Sequence, residues 1–104
     1  MYAAIRQYEL GAGSVQDFMQ ITEAGFADRL SQLPGFVSYQ LLATGSDEIV
    51  SITLFRDEEA AVRSNELAAD FVRERLQQFQ LNLTSSLNGE VQVQRGSAFE
   101  HATA

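Results

Sequence analysis

The stretch from Phe36 to Arg56 constrains this chain more than any other. Two runs rich in aromatic and β-branched residues, Phe36 to Thr44 and Asp47 to Arg56, flank Gly45-Ser46. A Gly-X pair between such runs predicts a type II′ hairpin, because Gly takes positive φ at no steric cost. That turn sets Thr44 opposite Asp47. On one face Leu42 then meets Ile49, Gln40 meets Ser51, Ser38 meets Thr53 and Phe36 meets Phe55. On the other face Leu41 meets Val50, Tyr39 meets Ile52 and Val37 meets Leu54.

The flanking segments say what covers this hairpin. Tyr2 to Glu9 reads as a short strand, broken by Gly11-Ala12-Gly13. Ser14 then serves as an N-cap with Asp17 three residues on. Val15, Phe18, Met19, Thr22, Phe26, Leu30 and Leu33 follow at helical spacing until Pro34-Gly35 stops them. Asp57-Glu58-Glu59 opens a second helix with acids where the helix dipole favours them. Ala61, Ser64, Ala68, Phe71, Val72, Leu76 and Phe79 form its inner face, with room for a break near residues 65–67. Residues 80–87 fit neither period. Asn88-Gly89 reads as a turn, and Val91 and Val93 as the last strand. The order strand, helix, strand, strand, helix, strand is the ferredoxin-like split βαβ plan, an α+β fold with an antiparallel sheet. All of residues 1–104 are expected to form one domain.

In this plan the helices cover one sheet face, and a face left to water is normally polar. Here Val37, Tyr39, Leu41, Val50, Ile52 and Leu54 make one hairpin face wholly apolar, and the other is framed by Phe36, Leu42, Ile49 and Phe55. Each such aliphatic is worth about 1.5–3 kcal/mol when removed from water. The expected solution is a homodimer with two sheets face to face, a dimeric α/β barrel. The alternative is a monomer whose mixed face is wet.

Composition closes off several chemistries. There are 7 basic and 14 acidic residues, so the formal charge is −7, and all the bases are Arg. That charge opposes nucleic acid and anionic membrane surfaces as partners. No apolar run reaches the roughly 18–20 residues of a membrane span, and the N-terminus does not resemble a secretory leader. A cytoplasmic location is the default expectation. Without Lys or Cys there is no Schiff-base attachment and no thiolate chemistry. One His, His101, cannot build a His-rich metal site. No cofactor is expected.

The candidate ligand site is the mixed hairpin face. Phe36 and Phe55 would be its walls, and Ser38, Gln40 and Ser51 its polar contacts. Asn65 would face them from the second helix. The alternative is that these hydroxyls bond locally and the rings are core. Tyr2, Tyr8 and Tyr39 are read as packed rings with exposed hydroxyls, with orientation of a ligand phenol as the alternative. Arg6 and Arg95 are read as ion pairs on outer strands, with an acidic ligand as the alternative. His101 is read as idle in the tail, with a general base as the alternative.

The layout also resembles a known family. Leu33-Pro34-Gly35-Phe36-Val37-Ser38, the strand ending in Phe55, Glu59 to Asn65 leading into Phe71 to Leu76, and Gly89-Glu90-Val91 carry the resemblance. They are similar to the antibiotic biosynthesis monooxygenase family of the dimeric α/β-barrel superfamily. The resemblance implies binding of a small aromatic or polyketide-like molecule, and oxidation of it without metal or flavin. Polyketide-oxidising members carry an Asn and, four residues later, a Trp where this chain has Ser51 and Phe55. The absence of Trp, and of a His on the second helix, argues against the haem-degrading branch. A non-catalytic ligand-binding or structural dimer with a decayed site is the competing reading.

Overall fold

The structure is a computed structural model that describes residues 1–96. Strand β1 (Tyr2–Leu10) is followed by helix α1 (Val15–Ser31), strands β2 (Phe36–Ala43) and β3 (Glu48–Phe55), and helix α2 (Glu58–Arg75). A 3-10 turn (Gln77–Phe79) leads into β4 (Leu81–Glu90). The sheet order is β2-β3-β1-β4 with every neighbour antiparallel. This is the ferredoxin-like arrangement the sequence predicts.

Helix starts follow the local chemistry. The Ser14 hydroxyl accepts from the Asp17 N–H at 3.1 Å, and the Asp57 carboxylate accepts from the Ala60 N–H at 2.9 Å. Each side chain satisfies one of the orphan donors of a first turn. α2 runs without a break through residues 65–67 and ends at Arg75. The chain then turns sharply, with Gln80 in the left-handed region at φ 48°.

Strand parity sorts the sheet into two faces. Ala4 pairs with Thr53 and Arg6 with Ser51, and all four are buried. Ile49 and Phe55 share their face, beneath Phe18, Phe26 and Leu30 of α1 and Phe71 of α2. Ile5, Val50, Ile52 and Leu54 point the other way and remain partly open, with Leu42 41 % and Leu87 60 % exposed.

The hairpin register differs from the sequence expectation by one residue. Gly45 does not adopt positive φ, and the connection is three residues, Gly45 to Asp47, closed by the Thr44 N–H donating to the Glu48 carbonyl at 3.1 Å. The Asp47 carbonyl accepts from the Leu10 N–H at 2.7 Å, which holds Asp47 out of the β2–β3 ladder. Leu41 therefore pairs with Ser51 and Gln40 with Ile52. The register recovers across Val37, and Phe36 still pairs with Phe55. An extra residue in one strand reverses the facing of everything beyond it. Tyr39 and Leu41 thus share the helix-covered face, whereas Ser38 and Gln40 lie on the open one.

The last strand also differs. β4 occupies residues 81–90, which include the expected turn Asn88-Gly89, and Val91 and Val93 lie beyond it. Its partner is β1 alone, with a register shift between Gln7 and Tyr8. Main-chain pairing to β1, rather than side-chain pattern, selects this polar edge strand.

Gly25 marks where α1 and α2 meet. A Cβ there would lie 2.8 Å from the Phe71 ring, which is buried and closely packed. Gly25→Val therefore lowers the unfolding free energy by about 1–3 kcal/mol in a urea titration. Gly45→Ala, whose nearest neighbour would be the Glu48 Cβ at 3.6 Å, changes it by less than about 0.5 kcal/mol. Equal effects from the two would contradict this packing.

Candidate functional site

Arg6 is the unusual residue of the core. It sits on β1, between β3 and β4, and is only 6 % exposed. The sequence reading of Arg6 as an outer-strand ion pair is corrected by this placement, since β1 has no free edge. The guanidinium donates to Asn65 Oδ1 at 3.4 Å, to the Ser64 carbonyl at 3.3 Å and to Ser64 Oγ at 3.4 Å. These contacts are long for a charged donor, which normally approaches to about 2.7–2.9 Å. None goes to a carboxylate. The guanidinium–carboxylate pairs among the described residues are Arg29–Glu74, Arg63–Glu59 and Arg73–Asp70, all exposed on the helices.

A small cavity of about 30 Å³ opens beside Arg6 between the sheet and the helices. Tyr8, Ser51, Tyr39 and Leu41 line it from the strands, Phe18, Thr22 and Phe26 from α1, and Ala68, Phe71 and Val72 from α2. Leu76 and Leu81 complete the lining. The volume suits one or two waters or an oxygen-sized group. Arg6 is the one charged side chain among these lining residues. The Thr22 hydroxyl is buried with no hydrogen-bond partner. Outside lies a groove of about 340 Å³, lined by Met19, Glu23, Ala27, Tyr39 and Leu41. Tyr39 and Leu41 line both spaces.

Burial governs the titration of this cluster. Desolvation lowers the Arg6 pKa, with some opposition from Tyr8 and Tyr39. Desolvation raises the Tyr8 pKa, and Arg6 offsets part of that rise. Tyr39 is held well above the ordinary phenol range by the same desolvation. Both tyrosines are therefore neutral hydroxyls at physiological pH and supply no anion to Arg6.

The six predicted ligand residues separate. Ser51 lines the cavity, and Asn65 accepts from Arg6. Phe36 and Phe55 make an edge-to-face pair with centroids 6.4 Å apart, packed in the core near the site but outside the cavity lining. Ser38 and Gln40 face away from the helices, for the register reason given above. Arg95 is exposed beyond β4, and His101 lies outside the described residues. Among the described residues no group of three His, Cys, Asp or Glu side chains is placed to hold a metal, and no helix is long and apolar enough to cross a membrane. The sequence reading missed Thr22 and gave Arg6 and Tyr39 only as alternatives, as contacts to an acidic ligand and to a ligand phenol. Their signal was parity: Arg6 alternates with Ala4, and Thr22 repeats on the same helical stripe as Phe18 and Phe26.

The family model described as antibiotic biosynthesis monooxygenase matches residues 1–74. No curated protein matches the sequence. Among solved structures the chain is similar to SnoaB, a cofactor-independent oxygenase from Streptomyces nogalater. Identity is 19% and the TM-score 0.61, over 92% of this chain and 95% of that one. It is also similar to the monooxygenase of the ActVA-Orf6 gene of Streptomyces coelicolor, solved in complex with nanaomycin D. There identity is 13% and the TM-score 0.63, over 91% and 92% of the two chains. A dimeric ferredoxin-like protein from an uncultured marine organism aligns with a TM-score of 0.69 at 12% identity, over 90% and 96%.

A buried guanidinium without a counter-charge costs stability, because little of its lost hydration is returned. Arg6→Met raises the unfolding free energy by about 1–3 kcal/mol. In a thermal melt that is an upward shift of roughly 4–8 °C per kcal/mol for a domain of this size. A fall in melting temperature would mean that the contacts to Asn65 and Ser64 outweigh the desolvation.

Proposed function

The chain belongs to the antibiotic biosynthesis monooxygenase family, and from that premise we propose that it binds a small aromatic or polyketide-like molecule between sheet and helices and oxidises it with dioxygen, without metal or flavin. The observation that carries this reading is the aromatic-walled space itself. Phe18, Phe26 and Phe71 line it together with the polar side chains of Arg6, Thr22, Ser51 and Tyr39, and at about 30 Å³ it admits a ring only when lining side chains such as Tyr39 and Leu41 move aside. An apolar enclosure with a few convergent polar groups is the usual form of a small-molecule site.

The chemistry requires no redox group from the protein. A methylene activated by a neighbouring aromatic carbonyl loses a proton and becomes an enolate-stabilised carbanion. The carbanion reduces dioxygen, so that CH2 and O2 become C=O and H2O, with all four electrons drawn from the substrate. The protein's part is to position the ring, exclude water and stabilise the developing charge.

A second reading is a ligand-binding protein without turnover. Ser51 and Phe55 favour it, since they stand where the resemblance implies an Asn and a Trp. The two readings part in an aerobic incubation with a reduced tricyclic phenol such as an anthrone. Oxygen uptake of one equivalent per quinone formed, with no added metal, supports the oxygenase. Saturable binding without uptake above the protein-free rate supports the binder. Absence of binding at millimolar concentration overturns both.

The open sheet face belongs to the same proposal. Ile5, Val50, Ile52 and Leu54 form an apolar surface that a second copy would cover through a two-fold face-to-face contact. Light scattering at micromolar concentration gives near twice 11.5 kDa. Ile52→Arg yields monomer or unfolded chain, because a buried unpaired charge costs several kcal/mol. A stable wild-type monomer contradicts the dimer.

A further inference from the structure

We infer that the small cavity beside Arg6 is a binding site for a small inorganic anion, chloride, held between the guanidinium and the Thr22 hydroxyl. The site stands independently of whether an aromatic molecule enters the same space. No Asp or Glu is among the lining residues, so the cavity carries one positive charge and nothing to balance it. Among the described residues the guanidinium donates to Asn65 and Ser64, at 3.3–3.4 Å. Both are neutral acceptors, and three long contacts leave part of a five-donor fork unused.

Thr22 is a second, independent observation. Its hydroxyl is buried with no hydrogen-bond partner, its residue is 3 % exposed, and it lines the cavity from α1. Arg6 lines the same cavity from β1. A buried hydroxyl left unpaired costs free energy that a bound acceptor restores. Tyr8 and Tyr39 line the space as well, and burial keeps both phenols protonated. They bring hydroxyl donors and no negative charge. The walls thus offer a cation and several donors, and what they lack is an anionic acceptor.

Size and charge select the occupant. A space of about 30 Å³ holds one or two waters, and chloride is little larger than a water. A water would answer the Thr22 hydroxyl but leave the guanidinium charge unbalanced. Chloride answers both. A buried ion pair offsets its own desolvation only when further hydrogen bonds complete it, and Thr22 and the two phenols are placed in the lining to supply them. Phe18, Phe26 and Phe71 line the same space, and beside such rings the attraction is weakly screened. The formal charge of −7 acts mainly through exposed carboxylates that solvent screens. It lowers the affinity into the millimolar range without reversing the local preference.

The test compares sodium chloride with sodium gluconate at equal ionic strength, gluconate being too large for the cavity. Chloride at about ten times its half-saturating concentration raises the wild-type melting temperature by roughly 5–8 °C over gluconate. The chlorine NMR line broadens saturably in the presence of the full chain, and bromide reverses the broadening. Arg6→Met abolishes both effects, and Thr22→Val weakens chloride binding several-fold. Equal melting temperatures of the wild type in the two salts, with a chlorine line that shows no saturable broadening, overturn the anion site and leave the cavity to water. A chloride effect undiminished in Arg6→Met places the ion elsewhere and overturns it as well. Because the salt comparison is read on the wild-type protein, the result does not depend on whether a variant folds. The anthrone assay is a separate measurement, so failure of this site and failure of the aromatic reading are told apart.

Discussion

The pairing of β1 with β3 decides most of what this molecule can do. It sets Arg6 opposite Ser51 and Ala4 opposite Thr53, all four beneath the helices. With β4 on its other side, β1 has no edge by which a long side chain could escape to water. A strand alternates strictly, so an Arg at that position either turns inward or the whole strand reverses its faces. Ala4 and Leu10 prefer the core, and they hold Arg6 there with them. The buried cation follows from the apolar neighbours two and four residues away.

The elements with strong local signals were legible. Ser14 and Asp57 mark both helix starts with side chains that cap, and the stripe from Phe18 to Leu30 is buried as its spacing requires. The Gly45-Ser46 turn was not legible in detail. Two- and three-residue connections share the same residues, and a main-chain bond from Leu10 to Asp47, distant in sequence, chose between them. That single residue moved Ser38 and Gln40 to the open face and brought Tyr39 and Leu41 to the site. β4 was obscure because residues 81–90 carry little apolar pattern, and pairing with β1 overrides the turn preference of Asn88-Gly89. Ser51 and Asn65 both lie on the side of their element that meets Arg6.

Function here is written in unmet demand rather than in catalytic motifs. A guanidinium with long contacts to neutral groups, a hydroxyl with none, and two phenols held neutral by burial all surround one small space. The guanidinium and the unpaired hydroxyl each cost stability in the free protein. Such local conflict with folding is characteristic of sites kept for binding or chemistry. Where the family's polyketide-oxidising members are expected to use Asn and Trp, this chain has a hydroxyl at Ser51 directly across from a buried cation.

The most direct measurement of the central claim is a crystal structure of the protein grown anaerobically with an anthrone. The account predicts the ring between sheet and helices, bounded by Phe18, Phe26 and Phe71, with Tyr39 and Leu41 displaced to admit it. A ring seated on the open sheet face, or an Arg6 paired instead with a carboxylate of the protein, would contradict it.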